Sequence, residues 1–181
     1  MGPVHPISGR AGRRLGIRGA AFLVCVLMAS GMTRGVAGTA DTVADIAAFV
    51  RWPDSAAYGL SFRLCLRDDD PALGQFMRKR GAKLHGKPIT IHSLRPGDFG
   101  QRPCHLVYFS EGFASPTILE RLRHRPVLTV SPQPGFTLRG GLVELNRETG
   151  RLVLVIDRAA VVGHPLTFSA QLLAISHQAG Q

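Results

Sequence analysis

Acidic side chains are missing from residues 1–40, which hold five arginines (Arg10, Arg13, Arg14, Arg18 and Arg34); all 12 carboxylates lie from Asp41 onward. The net charge of +10 therefore overstates the basicity of the remainder, where 17 basic residues stand against 12 acidic ones, about +5. Aromatic residues are scarce, with one tryptophan and two tyrosines. None is interleaved with Arg78-Lys79-Arg80 or with Arg121, Arg123 and Arg125. Single-strand nucleic-acid binding wants stacking platforms among its cations, so no nucleic-acid partner is expected and these clusters read as solvated helix ends. No apolar run reaches the ~20 residues of a bilayer span.

Catalytic and metal-binding patterns are also lacking. There is no Cys-x-x-Cys, no Gly-x-Ser-x-Gly and no glycine-rich loop ahead of Lys-Ser/Thr. Seven histidines are present, but none pairs at i,i+4 and none shares a zinc-ligand spacing with cysteine. The expectation is a binding module with no catalytic residues, no cofactor and no metal.

What the chain does have begins at its N-terminus. Basic residues precede Ala20 to Ala29, an uncharged stretch too short for a comfortable span, and small residues follow from Gly35 to Ala40. That order is the signature of a cleaved secretory signal peptide, assigned to residues 1–40, with no stable membrane insertion after cleavage. Arg13-Arg14 admits the twin-arginine route beside the general one, although the residues after the pair match that signal poorly. Of the three cysteines, Cys25 leaves with the signal. Cys65 and Cys104 then form an even pair in a compartment where disulfides persist. A bridge closing about 40 residues stabilises by roughly 4 kcal/mol in the chain-entropy model; two buried thiols are the alternative.

Residues 41–181 are enough for one domain with one core. Asp45 to Trp52 reads as a short helix ended by Pro53. Leu60 to Leu66 alternates, placing Phe62, Leu64 and Leu66 on one face and Cys65 on the other. Asp68-Asp69-Asp70-Pro71 resembles an acidic cluster, but an aspartate followed by proline is what a helix start requires, so Asp70 is assigned as the cap of a helix reaching about Arg80. Further strands are expected at Ile89–Leu94, Cys104–Phe109 and Val127–Val130, with a helix opened by Ser115-Pro116 and running to Arg123. Gly140-Gly141 marks a place where a side chain would clash, and residues 142–146 and 151–156 form a hairpin. A last helix, from Leu166 to Ser176, offers Phe168, Leu172, Leu173 and Ile175 to the core. Alternating strands and helices followed by a hairpin predict an α/β sandwich with a mixed, largely parallel sheet. Trp52, at a helix end, reads first as a core or interface anchor; with Phe49 it is also the candidate for ligand or partner contact.

In their order and spacing, Phe49-Val50-Arg51-Trp52-Pro53, Phe62-Arg63-Leu64-Cys65, Cys104 to Phe109, Val127 to Ser131, Gly135-Phe136 and Gly140-Gly141 resemble the YfiR family of periplasmic proteins. The resemblance covers about Asp45 to Ile175. It implies a periplasmic α/β protein that represses a membrane-bound diguanylate cyclase through that enzyme's periplasmic sensing part, lowering cyclic di-GMP in the cell. It also implies that Cys65 and Cys104 correspond to a family disulfide. A second bridge, found in some members near the hairpin, has no counterpart, because residues 142–156 contain no cysteine. The partner expected is thus the periplasmic domain of an inner-membrane diguanylate cyclase or sensor protein, with homodimer formation left open. The rival reading is a periplasmic small-solute carrier or sensor with a pocket near Trp52 and Phe49.

Overall fold

A computed structural model describes residues 38–56, 59–148 and 151–180. Up to Ala37 the expected signal peptide, Cys25 with it, lies outside the described residues. The helices are α1 (Thr39–Ala48), α2 (Leu73–Met77), α3 (Pro116–Leu122), α4 (Arg158–Val161) and α5 (Ala170–Ile175). The strands are β1 (Val50–Arg51), β2 (Phe62–Arg67), β3 (Lys83–Leu84), β4 (Lys87–Leu94), β5 (Leu106–Tyr108), β6 (Leu128–Ser131), β7 (Val143–Glu148), β8 (Arg151–Ile156), β9 (Thr167–Phe168) and β10 (His177–Gln178). Eight strands form one sheet in the order β10-β8-β7-β6-β5-β2-β4-β3, while β1 and β9 pair antiparallel beside it. The four pairings from β7 through β6, β5 and β2 to β4 are parallel, as is the outer β10–β8 pairing; the β7–β8 hairpin and the β3–β4 pairing are antiparallel. The sheet is mixed and largely parallel.

A parallel sheet hides both faces, and here each face has its own core. Because side chains alternate along a strand, β2 sends Phe62, Leu64 and Leu66 to one side and Cys65 to the other. β5 does the same with Leu106 and Tyr108 against Val107. The first core is covered by α1 (Val43, Ile46, Ala47), by Phe76 of α2 and by Leu172 of α5. The second lies under α3, where Ile118, Leu119 and Leu122 meet Phe99, Phe109 and Phe136. Ser115 caps α3 by accepting from Ile118 N–H at 3.3 Å, as its sequence predicts.

Several elements differ from the sequence reading. The first helix spans Thr39–Ala48, because Val50 and Arg51 pair with Phe168 and Thr167 instead of completing its last turn. The helix after Asp70 is only Leu73–Met77; Asp70 Oδ1 accepts from Ala72 N–H at 2.8 Å, a turn ahead of the helix rather than its cap. A hairpin, β3 to β4, stands where only a strand was expected, turned by His85 and Gly86, both at positive φ. The closing helix is Ala170–Ile175, since Thr167 and Phe168 are strand, and Ile175 is 68% exposed rather than in the core. Gly141 does stand where a side chain would clash: a Cβ there would lie 2.2 Å from the buried ring of Phe136.

Candidate functional site

Trp52 follows β1 and leads into a turn made by Pro53 and Asp54, so its ring is set against the ends of β2 and β5 rather than on a helix. Its indole N–H donates to the His105 carbonyl at 3.0 Å. The ring meets Phe62 edge-on at 5.1 Å between centroids and His85 at 5.7 Å. Phe62 in turn stacks on His105 at 4.9 Å. These four rings wall a cleft of about 300 Å³, whose rim carries Arg51, Asp54 and Lys87. Aromatic walls with a few charged groups at the mouth are what a small-molecule or side-chain binding cleft requires. His85 also bonds through Nε2 to the Ala47 carbonyl at 2.9 Å, tying the β3–β4 turn to the end of α1.

His105 is structural in this cleft. Its Nδ1 accepts from Arg63 N–H at 2.9 Å, which the neutral ring alone can do. Burial holds its pKa down at about 4; the charges of Lys87 and Arg63 act in the same direction, while a hydrogen bond to the Ala56 backbone opposes them. The unfolded imidazole takes up a proton near 6.5 and the folded one refuses it until about 4. Between those values the unfolded state binds more protons, so stability is full above 6.5 and is lost as pH falls through the window. The contribution is about 3 kcal/mol at full effect. His92 and His164 are also lowered by burial and slope the same way. The check is therefore a difference: urea midpoints from pH 7.5 to 4 should fall less steeply in His105→Gln than in the wild type. Parallel slopes would remove His105 from the account.

Of the residues singled out in the sequence, Trp52 lines this cleft and Phe49 does not. Phe49, 42% exposed, opens onto a separate depression beside Thr167, Ser169 and Gln171. The two are only three residues apart, but the β1 strand between them turns their side chains to different surfaces. Sequence reading missed Phe62, His85, Lys87 and His105. The turn residue Gly86 is the signal that could have pointed to His85, and His105 lies within the Cys104 to Phe109 run that carries the resemblance.

Cys65 and Cys104 are joined in a disulfide, with Cα atoms 6.0 Å apart and both residues buried in the second core. The bridge lies across the sheet from Phe62 and Leu64, which belong to the first core. Among the described residues, no group of three or more His, Cys, Asp or Glu could hold a metal ion, and no helix is long and apolar enough to cross a membrane.

No curated protein matches the chain. A family model described as YfiR/HmsC-like matches residues 37–177. That span runs from just ahead of α1 to the first residue of β10 and takes in both cores, the disulfide and the Trp52 cleft. The chain belongs to the YfiR/HmsC-like family.

Proposed function

We propose that this protein is exported to the periplasm and there binds the periplasmic domain of an inner-membrane signalling protein, a diguanylate cyclase, as its negative regulator. The observation that carries the reading is the family match across the whole folded domain. Two features support it. A disulfide between Cys65 and Cys104 belongs to an oxidising compartment. Residues 1–40 have the charge order of a cleaved signal. Since α1 starts at Thr39 and buries Ala40, the cleavage point is taken just ahead of Thr39, two residues before the boundary at residue 40 expected from the sequence. The regulator acts as a binding module rather than an enzyme: it prefers the inactive state of its partner, and an envelope cue that weakens this preference releases the partner.

Deleting the gene is expected to raise cellular cyclic di-GMP and surface attachment, both restored by the wild-type gene. Nucleotide levels unchanged across several growth conditions would remove the cyclase from the reading. The aromatic cleft at Trp52 favours a second reading, a small-solute binding protein. In that case protein isolated from the envelope carries a bound small molecule, and deletion leaves cyclic di-GMP unchanged.

A further inference from the structure

A second cleft, of about 440 Å³, opens on a different part of the surface, between the end of α3, the turn at Thr137–Arg139 and the loop after α4. Its wall carries Leu138 and Val162, which are 71% and 82% exposed. Large aliphatic side chains so exposed beside a concavity leave apolar surface for an occupant to cover. Next to them lie Arg123, His124 and His164. The one carboxylate lining the cleft, Asp157, caps α4: its Oδ1 accepts from Ala159 and Ala160 N–H. Arg123 has only an exposed partner, Glu120, at 3.2 Å.

Two further observations concern the polar end. Gly140, at φ +97°, has no Cβ, and one added there would come within 3.1 Å of an Arg123 guanidinium nitrogen. The glycine therefore leaves room for the guanidinium against the cleft wall. His164 accepts Leu166 N–H at 3.1 Å through Nδ1, so its hydrogen is on Nε2. That N–H is buried and directed at the Arg123 backbone, so it helps to hold the end of α3 at the cleft wall. A guanidinium at one end, with aliphatic side chains at the other, matches an anion that carries an apolar tail.

From this juxtaposition we infer that the Arg123–Val162 cleft is a binding site for a small aliphatic carboxylate, with Arg123 pairing the carboxylate and Leu138 and Val162 covering its chain. The inference is independent of the partner proposed above and of the Trp52 cleft.

Sodium octanoate serves as the probe, titrated by calorimetry into the protein purified from the cell envelope. Saturable binding at one site is expected, with 1-octanol and inorganic phosphate at least ~10-fold weaker because each supplies one half of the recognition. Arg123→Gln and Leu138→Ser should each weaken octanoate by ~10-fold or more while leaving the melting temperature within a degree or two, since both side chains are on the surface. Trp52→Ala, in the other cleft, should leave octanoate affinity unchanged. Absence of saturable binding, or binding untouched by both cleft substitutions, would overturn the assignment. Binding abolished by Trp52→Ala would move the carboxylate to the aromatic cleft and equally refute this one.

Discussion

Replacing Cys65 and Cys104 together by alanine should destabilise the protein by about 2–5 kcal/mol, enough to lower the melting temperature by roughly 6–20 °C. The two residues are 39 apart in sequence, so the bond removes from the unfolded chain the freedom of a loop containing all of α2, β3 and β4. The folded chain gains nothing comparable when the bond is cut. Both sulfurs sit in the second core with Leu94, Phe99, Val107 and Phe109, and α3 closes over them. Alanine is the cleaner substitution, because serine would bury a hydroxyl among these side chains and add a desolvation cost unrelated to the bridge. A single Cys65→Ala change should be as harmful as the double one and should also form intermolecular dimers through Cys104. Urea unfolding of the wild type with and without dithiothreitol provides the second arm: the reduced protein should move toward the midpoint of the double variant. Two thiols freely alkylated in unreduced envelope protein, or a midpoint indifferent to reduction, would contradict the expectation.

How far the sequence reveals this fold depends on where each signal resides. The strands β2, β5 and β6 are legible because Phe62 to Leu66 alternates, Leu106 to Tyr108 is a continuous apolar run, and Val127 to Val130 is a short β-branched and aliphatic stretch. The start of α3 is legible because Ser115-Pro116 is a local chemical device. By contrast, Val50 and Arg51 are strand only because Phe168 and Thr167 come back to pair with them, a fact present nowhere in residues 45–52. Apolar periodicity there continues past Ala48 and predicts a longer helix than forms. The same pairing takes Thr167 and Phe168 out of the closing helix and leaves six residues, too few for Ile175 to turn back onto the core. Local propensity gave way to tertiary pairing in both places.

The cleft was less legible than the fold for a related reason. Trp52, Phe62, His85 and His105 come from four separate segments, and only the adjacency of β2 to β5 and β4 brings them together. Trp52 drew attention as the only tryptophan, a matter of composition, whereas Phe62 was already accounted for as an ordinary core residue. Phe62 is in fact both: it is buried, and its ring faces Trp52 and His105. Phe49 is close to Trp52 in sequence, but with residues 50 and 51 in a strand the two side chains open onto different depressions.

Asp70→Ala should cost about 3–5 kcal/mol, although its two neighbours in the Asp68-Asp69-Asp70 run are surface residues whose loss matters little. Asp70 is 4% exposed. Its Oδ1 accepts from Ala72 N–H at 2.8 Å and from the Ser110 hydroxyl at 2.6 Å, and its Oδ2 accepts from Ser110 N–H at 3.2 Å. The carboxylate thereby holds the turn into α2 against the chain leaving β5, 40 residues away. Removing it strands three donors in a site nearly closed to water, and a buried unmade hydrogen bond costs roughly 1–3 kcal/mol. Asp70→Asn keeps the volume but turns an amide N–H₂ toward a donor, so it should recover only part of the loss. Ser110→Ala removes one donor and leaves the backbone bond in place, with a cost of about 1–2 kcal/mol. The double variant Asp70→Ala/Ser110→Ala should be less damaging than the sum, by ~1 kcal/mol or more, because the stranded hydroxyl is gone. Asp69→Ala is the reference: its partner Arg67 is held at 2.6 Å, but Asp69 is 57% exposed, and a solvent-screened surface pair of this kind contributes little to stability. Urea unfolding of the five variants decides the matter. If Asp70→Ala loses no more than Asp69→Ala, or if the cycle with Ser110 is additive, Asp70 is not the tie between β5 and α2.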